Sequence, residues 1–361
     1  MIKVLEPCIT EQDVKAVSDG LKMGWVSHHG PEYVRFAHDL EDYLGLAQLN
    51  KRIVLTSSGS AALHIAYVLS GVRNAEYVAI PDITFAATLN ALFQETNKIV
   101  LCDITSSDWN MNWQYLKDKD ISHIITVDLL GTPFEFSDNF EQYVKSKNIV
   151  VIEDAAESLG SKDARGRFCG TRGDYGVFSF FANKIITTGE GGALVVPDWQ
   201  YEEAYNLVSH YPGGKEYDHA KAGYNYRMTH MSAALGRSQL KKIEFFLQYK
   251  TTIRKSYEIG INPPAYPQAH VLGAKPNFWL NAFTFPNKHK RDDAMRALDL
   301  NLIDYRYIFK PMSSLPFTKH LQTVGQGNAI SLFQRTICLP SSISLTKEHI
   351  NLICKVVNDA Q

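Results

Sequence analysis

From Ile53 onward, short unbroken apolar runs alternate with longer stretches whose apolar residues return at helical spacing. The runs at 53–56, 78–80, 99–101, 124–127, 149–152, 176–180 and 192–196 are rich in Val and Ile and predict strands buried on both faces. Segments 61–69 and 86–93 carry the helical pattern between them. Strands alternating with helices imply an α/β fold on a mostly parallel, seven-stranded sheet. The stretch 201–247 reads as helix broken near Tyr211-Pro212-Gly213-Gly214. Beyond about Thr251 the pattern changes to a smaller α+β unit, with strands at 281–285 and 336–339. The expected division is therefore an arm and large domain at 1–250 and a small C-terminal domain at 251–361. The residues before about 50 predict an arm and a helix that pack on the second domain.

Composition narrows the classes. The chain has 361 residues, 45% hydrophobic and 21% charged, enough for two or three ordinary globular domains. A net charge of −1 gives no reason to expect nucleic acid or an anionic membrane as partner. Twelve histidines show no HExxH spacing, so no metal is expected. The five cysteines are scattered without a CxxC pair and read as thiols in a reducing compartment. The N-terminus lacks the apolar run of a signal peptide, and no stretch approaches the roughly 18 apolar residues of a membrane span. The expected location is cytoplasmic.

Ligands of open α/β sheets bind beyond the carboxyl ends of the strands, and four such ends carry useful groups. Lys184 stands between the aromatic run Phe178-Ser179-Phe180-Phe181 and the turn Gly189-Glu190-Gly191-Gly192. A random lysine belongs on the surface, but one held dry there has a lowered pKa and can form a Schiff base with an aldehyde. Ser58-Gly59-Ser60 joins a strand to an Ala/Leu-rich helix; alone it fits a Ser N-cap and tight turn as well as a phosphate seat. Glu153-Asp154 closes a buried strand, where Asp154 could hold a ring nitrogen protonated or merely cap a helix. Phe85 follows the run at 78–80 and could stack on a planar ring or lie in the core. Together, phosphate seat, stacking aromatic, carboxylate and Schiff-base lysine match pyridoxal 5′-phosphate (PLP).

Further motifs extend the pattern: Gly24-Trp25-Val26-Ser27 and Gly30, Gly223-Tyr224-Asn225-Tyr226-Arg227-Met228, Ala233-Ala234, Gln239-Leu240 and Cys338-Leu339-Pro340. In this order they resemble the sugar aminotransferases of the DegT/DnrJ/EryC1/StrS family, fold type I PLP-dependent transferases, over almost the whole chain. The resemblance implies that Lys184 bonds the cofactor aldehyde and moves the substrate proton, and that Asp154 pairs with the pyridine nitrogen. It places Glu157, where many members have glutamine, near the ring hydroxyl, and Phe85 on the ring. It gives Gly59, Ser60 and Ser179 to the phosphate. Asn225 is expected to reach the phosphate in the other subunit, which implies a homodimer with shared sites.

Stretches at 153–161 and 180–188, and Glu216-Tyr217-Asp218-His219, resemble nucleotide-sugar 4-aminotransferases of the perosamine synthase type. The implied reaction transfers an amino group from L-glutamate to C4 of a nucleotide-linked 4-keto-6-deoxyhexose, for surface polysaccharide such as O-antigen. Departures fall at Ser58-Gly59-Ser60, where Asn-Gly-Thr is commoner, and around Arg306. There Tyr307 and Ser313 replace the proline and histidine of relatives while Arg306 persists; the resemblance places this region near the sugar nucleotide, and Arg306 is the residue expected near the substrate. A 3-aminotransferase is the nearest alternative. A sugar dehydratase of this fold generally has histidine in place of Lys184. A non-catalytic sensor would not form 2-oxoglutarate, and a nicotinamide-linked dehydrogenase would need a glycine fingerprint that is missing.

Overall fold

The computed structural model describes residues 1–215 and 217–361, so Glu216 of the motif above lies outside the described residues. The seven runs fold as β1 (Lys51–Thr56), β2 (Val78–Pro81), β3 (Ile99–Cys102), β4 (His123–Val127), β5 (Val150–Asp154), β6 (Tyr175–Ser179) and β7 (Gly192–Pro197). They lie in the order β1-β7-β6-β5-β4-β2-β3. All neighbours are parallel except β7, which is antiparallel to both β1 and β6. The C-terminal part supplies β8 (Tyr266–Pro267), β9 (Asn281–Thr284), β10 (Arg306–Tyr307), β11 (Gln322–Val324) and β12 (Thr336–Leu339). Four of these form a sheet in the order β10-β12-β9-β8. The fifth departs from expectation: β11 pairs parallel with β3 and makes the large sheet eight-stranded among the described residues. Gln322-Thr323-Val324 has no apolar run to announce a strand; it forms because the edge of β3 has unpaired backbone groups to satisfy.

The helices are α1 (Glu11–Lys22), α2 (Pro31–Leu44), α3 (Gly59–Ser70), α4 (Ala86–Leu92), α5 (Asp138–Ser146), α6 (Tyr201–Val208), α7 (His230–Leu240), α8 (Ile243–Gly260), α9 (Lys288–Leu300), α10 (Asn328–Arg335) and α11 (Lys347–Asp359). Strand alternation sorts side chains between two layers. Val54, Ile80 and Val177 pack with α3, α4 and α6 on one face. Ile53, Leu55 and Val195 pack with α2 and α7 on the other, where Ala79 and Val151 meet α5. The smaller sheet is covered by α8, α9 and α11 through Tyr257, Leu298 and Ile353.

Two expectations are corrected. The break after α6 is not a four-residue turn, since no helix occupies the described residues between Val208 and His230. The N-terminal region forms two helices, and both pack on the large domain through α7. The cause lies in two side-chain sets. The apolar stripe of α2 (Tyr33, Phe36, Leu40, Leu44) completes the layer over β1. Buried Asp13 of α1 accepts from Ser238 Oγ (2.7 Å) and Gln239 Nε2 (2.9 Å) and pairs with Lys242. Burial opposes its charge, yet hydrogen bonds from Lys242, Ser238 and Thr10 hold its pKa down to about 2. The extreme N-terminus touches the C-terminal part, through Ile2 beside Ile303 and the bond from Ser341 N to Val4 O. Among the described residues, no helix is long and apolar enough to cross a membrane.

Candidate active site

A cavity of about 260 Å³ opens beyond the carboxyl ends of β1, β2, β4, β5 and β6. Gly59, Ser60, Phe85, Asp154, Glu157, Ser179, Lys184 and Arg306 all line it. Asn225 does not. It is exposed and bridges to Ser209, so this single chain leaves it away from its own cavity.

One end of the cavity is the start of α3. Ser58 is spent as its N-cap, accepting from Ala61 N at 3.1 Å, which leaves the first N–H groups of the helix facing outward without intrahelical partners. Close packing holds this end: a Cβ on Gly59 would come within 3.0 Å of Ser179 Cβ, and one on Gly192 within 2.6 Å of the Ser58 carbonyl. Glycine at both positions lets the β6 hydroxyl approach the helix terminus. Helix N–H groups beside Ser60 and Ser179 make a seat for a phosphate-sized anion.

The other end is the tip of β5, where alternation sends two carboxylates to opposite faces. Glu153 turns away and meets Arg172, whose guanidinium also binds Asp128. Asp154 turns into the cavity, accepting from Thr88 Oγ1 (2.7 Å) and Ala156 N (3.2 Å). Burial pushes its pKa up, opposed by the Thr88 bond, the Ala156 N–H and the Lys184 charge. A buried, under-paired carboxylate fits a cationic ring nitrogen. Phe85, 58% exposed, stands beside Phe309 with its ring free to meet a planar group.

Lys184 does not lie on a strand. It follows β6 in the turn that closes where Phe181 bridges Gly189, with only 13% of its side chain exposed. Burial lowers its pKa, while Glu157 and Asp154 pull the other way. Its nearest carboxylate oxygen is Glu157 Oε1 at 3.8 Å, beyond hydrogen-bond reach. Glu157 instead accepts from Leu130 N at 2.7 Å, presented by a backbone with φ of +56°, a rare conformation for leucine. Burial raises the Glu157 pKa to about 7 against the pull of Lys184 and Leu130. The amine is thus dry, flanked by two carboxylates, and bonded to neither. Among the described residues no group of three His, Cys, Asp or Glu side chains is placed to hold a metal.

Arg306 reaches the cavity from β10, whereas the adjacent Tyr307 lines a separate cleft of about 740 Å³. Ser313 is committed elsewhere, its hydroxyl and N–H both bonding Asp82 at 2.7 Å. Two residues at the cavity were not anticipated. Thr88, in the first turn of α4, is the hydrogen-bond donor to Asp154; its spacing three residues after Phe85 at a helix start is the available signal. Trp279 places its ring centroid 3.9 Å from Lys184 Nζ, and nothing in its local sequence indicates that.

Comparison with known proteins agrees with this geometry. The model of the DegT/DnrJ/EryC1/StrS aminotransferase family matches residues 7–358. A GDP-perosamine synthase of Escherichia coli O157:H7 is 30% identical, covering 99% of this chain and 98% of that protein. One from Vibrio cholerae is 28% identical, covering 99% of each. Among solved structures, the PLP-form of the putative sugar aminotransferase Spr1654 from Streptococcus pneumoniae superposes with a TM-score of 0.91 at 25% identity, covering 99% of this chain and 98% of that one.

Proposed function

The chain belongs to the DegT/DnrJ/EryC1/StrS aminotransferase family, and from that premise we propose the following reaction. It transfers the amino group of L-glutamate to C4 of a nucleotide-linked 4-keto-6-deoxyhexose. The product is a 4-amino-4,6-dideoxy sugar for surface polysaccharide such as O-antigen. The observation that carries this reading is the dry, unbonded amine of Lys184 held between an anion seat and a buried carboxylate. The names of the relatives and the motifs around Asp154 and Lys184 support a sugar nucleotide acceptor.

The cofactor is PLP, cycling with its pyridoxamine form; when bound it supplies an aldehyde that takes up the amino group and a ring that absorbs carbanion charge. The α3 terminus with Gly59, Ser60 and Ser179 would hold the phosphate. Asp154, steadied by Thr88, would keep the ring nitrogen protonated, and Phe85 would lie on the ring with Glu157 near its hydroxyl. Lys184 would accept the proton from the α-carbon of glutamate in the first half and, in the second, would deliver one to C4 of the sugar. Burial of the amine excludes water and lowers its pKa, which makes the neutral, proton-accepting form available for both transfers. Arg306, at the open side, is the residue for the substrate's negative charge. Asn225, exposed on this chain, is free to complete the cavity of a second copy in a homodimer with two shared sites. The proposed location is cytoplasmic.

A panel of GDP-, dTDP- and UDP-linked 4-keto-6-deoxy sugars incubated with glutamate tests this. We expect 2-oxoglutarate in step with an amine that NMR places on C4. An amine on C3, a dehydrated sugar, or no 2-oxoglutarate with any member overturns the assignment.

A further inference from the structure

Lys184 has a neighbour that the reaction above does not use. Trp279, 3% exposed, precedes β9 and reaches across from the C-terminal part of the chain. Its ring centroid lies 3.9 Å from Lys184 Nζ. Three hydrogen bonds fix it. Nε1 donates to Asn183 O (2.7 Å), its own N–H to Asn277 Oδ1 (2.9 Å), and its carbonyl accepts from Lys250 Nζ (3.0 Å). One indole therefore grips the backbone at Asn183 and the side chain of the next residue.

The lysine that anchors it is itself unusual. Lys250 of α8 is buried, and its amine is bonded to two carbonyls, Trp279 O and Ser341 O, with no carboxylate among its hydrogen-bond partners. A buried lysine costs stability. Here it ties the ends of β9 and β12 together at the Trp279 carbonyl.

We propose that Trp279 is a positioning residue, whose indole face holds the ammonium form of Lys184 in place at the cavity and is itself held by Lys250. This deepens the reading of Lys184 as the reactive amine and rests on it. A leucine would fill the same space, but only an aromatic face attracts a cation, and most strongly where water is excluded. Glu157 Oε1 pairs with the Lys184 charge at 3.8 Å without a hydrogen bond, and the indole, its centroid at 3.9 Å, lies against the same amine. A lysine side chain with four rotatable bonds, freed whenever its covalent partner is exchanged, would otherwise wander. The charged groups around the amine are Glu157 and Asp154 from β5 and the turn after it, with Glu190 and Arg306 farther round the wall. Lys250 and Glu6 line the small cavity behind it.

The test reads the Lys184 amine in the cofactor-free protein, by pH-dependent acetylation with acetic anhydride followed by peptide mass spectrometry. The midpoint of labelling is expected to fall by about one pH unit, a tenfold change in protonation, in Trp279→Leu. Trp279→Phe, which keeps the aromatic face, is expected to stay near the parent. Lys250→Met is expected to move the midpoint the same way by less. In the holoenzyme the alkaline limb of kcat should move with the labelling midpoint. If Trp279→Leu does not fold, progressively fluorinated tryptophan drains the ring face without changing its shape, and the midpoint should fall with each added fluorine. An unchanged midpoint in Trp279→Leu, or across the fluorinated series, overturns the proposal. Because the labelling needs neither cofactor nor sugar, its outcome is independent of whether the substrate assignment stands.

Discussion

Two buried clusters flank the end of β5, each built from one cation and two carboxylates. In the first, Arg172 binds Glu153 Oε2 at 2.6 Å and Asp128 Oδ1 at 2.8 Å, all three side chains being essentially inaccessible. Glu153 also accepts from the N–H groups of Gly170 and Gly173, and Asp128 from Phe134 N and Ser158 Oγ. In the second, Lys184 comes no closer than 3.8 Å to Glu157, and Asp154 is bonded to a threonine and one N–H. Glu153 and Asp154 are consecutive residues, so alternation alone sends one into each cluster. The difference is saturation. A guanidinium fork can satisfy two carboxylates at once and stays charged, whereas a lysine amine is a point charge whose proton can be moved by burial. The first cluster has used all its bonds on structure. The second keeps an amine and an acid in reserve for a ligand.

Three substitutions sharpen this contrast. Lys184→Ala should have the largest effect on function, cutting turnover roughly 10³-fold or more while leaving the fold intact. Steady-state assays paired with a melting curve check it; appreciable turnover in that variant would place the reactive amine elsewhere. Arg172→Met should do the converse. It strands two buried carboxylates and is expected to cost about 3–5 kcal/mol, read as a large fall in melting temperature. If turnover collapses while the melting temperature holds, the first cluster is not merely structural.

The smallest effect is expected from Glu157→Gln. With its folded pKa raised to about 7, Glu157 keeps a proton that the unfolded chain has lost above about 4.5. Folded protein then binds more protons in that window, so stability of the cofactor-free protein should fall as pH rises from about 4.5 to about 7, by at most about 3 kcal/mol. Glutamine removes the titrating group and should flatten that slope. Equal slopes in the two proteins would mean that Glu157 is already ionised at lower pH, as a saturated ion pair would be.

What sequence could reveal followed the same division. Asp154 and Ser179 end their strands, Gly59 and Lys184 lie in the segments that follow β1 and β6, and strand ends are visible as the last residues of apolar runs. Their convergence in one cavity then follows from the parallel order of the sheet. Contacts made across the chain had no such signature. Thr88 meets Asp154 only because β2 and β5 lie on either side of β4, and Trp279 meets Lys184 only because the C-terminal part folds back over β6. The arm was misplaced for the same reason, since nothing near Asp13 in sequence points to Ser238, Gln239 and Lys242. Asn225 is legible as a motif but leaves no trace in the geometry of one chain.

The strand β11 has a consequence for how the protein is made. Val100 on β3 waits for Gln322, so the edge of the large sheet stays bare while most of the chain is synthesised. Emerging from a ribosome, the cofactor-binding half therefore carries an open, apolar-flanked edge until Gln322–Val324 arrive, and only then does the risk of pairing with a neighbouring nascent chain end. The large sheet is finished by a segment that the ribosome delivers long after its other seven strands.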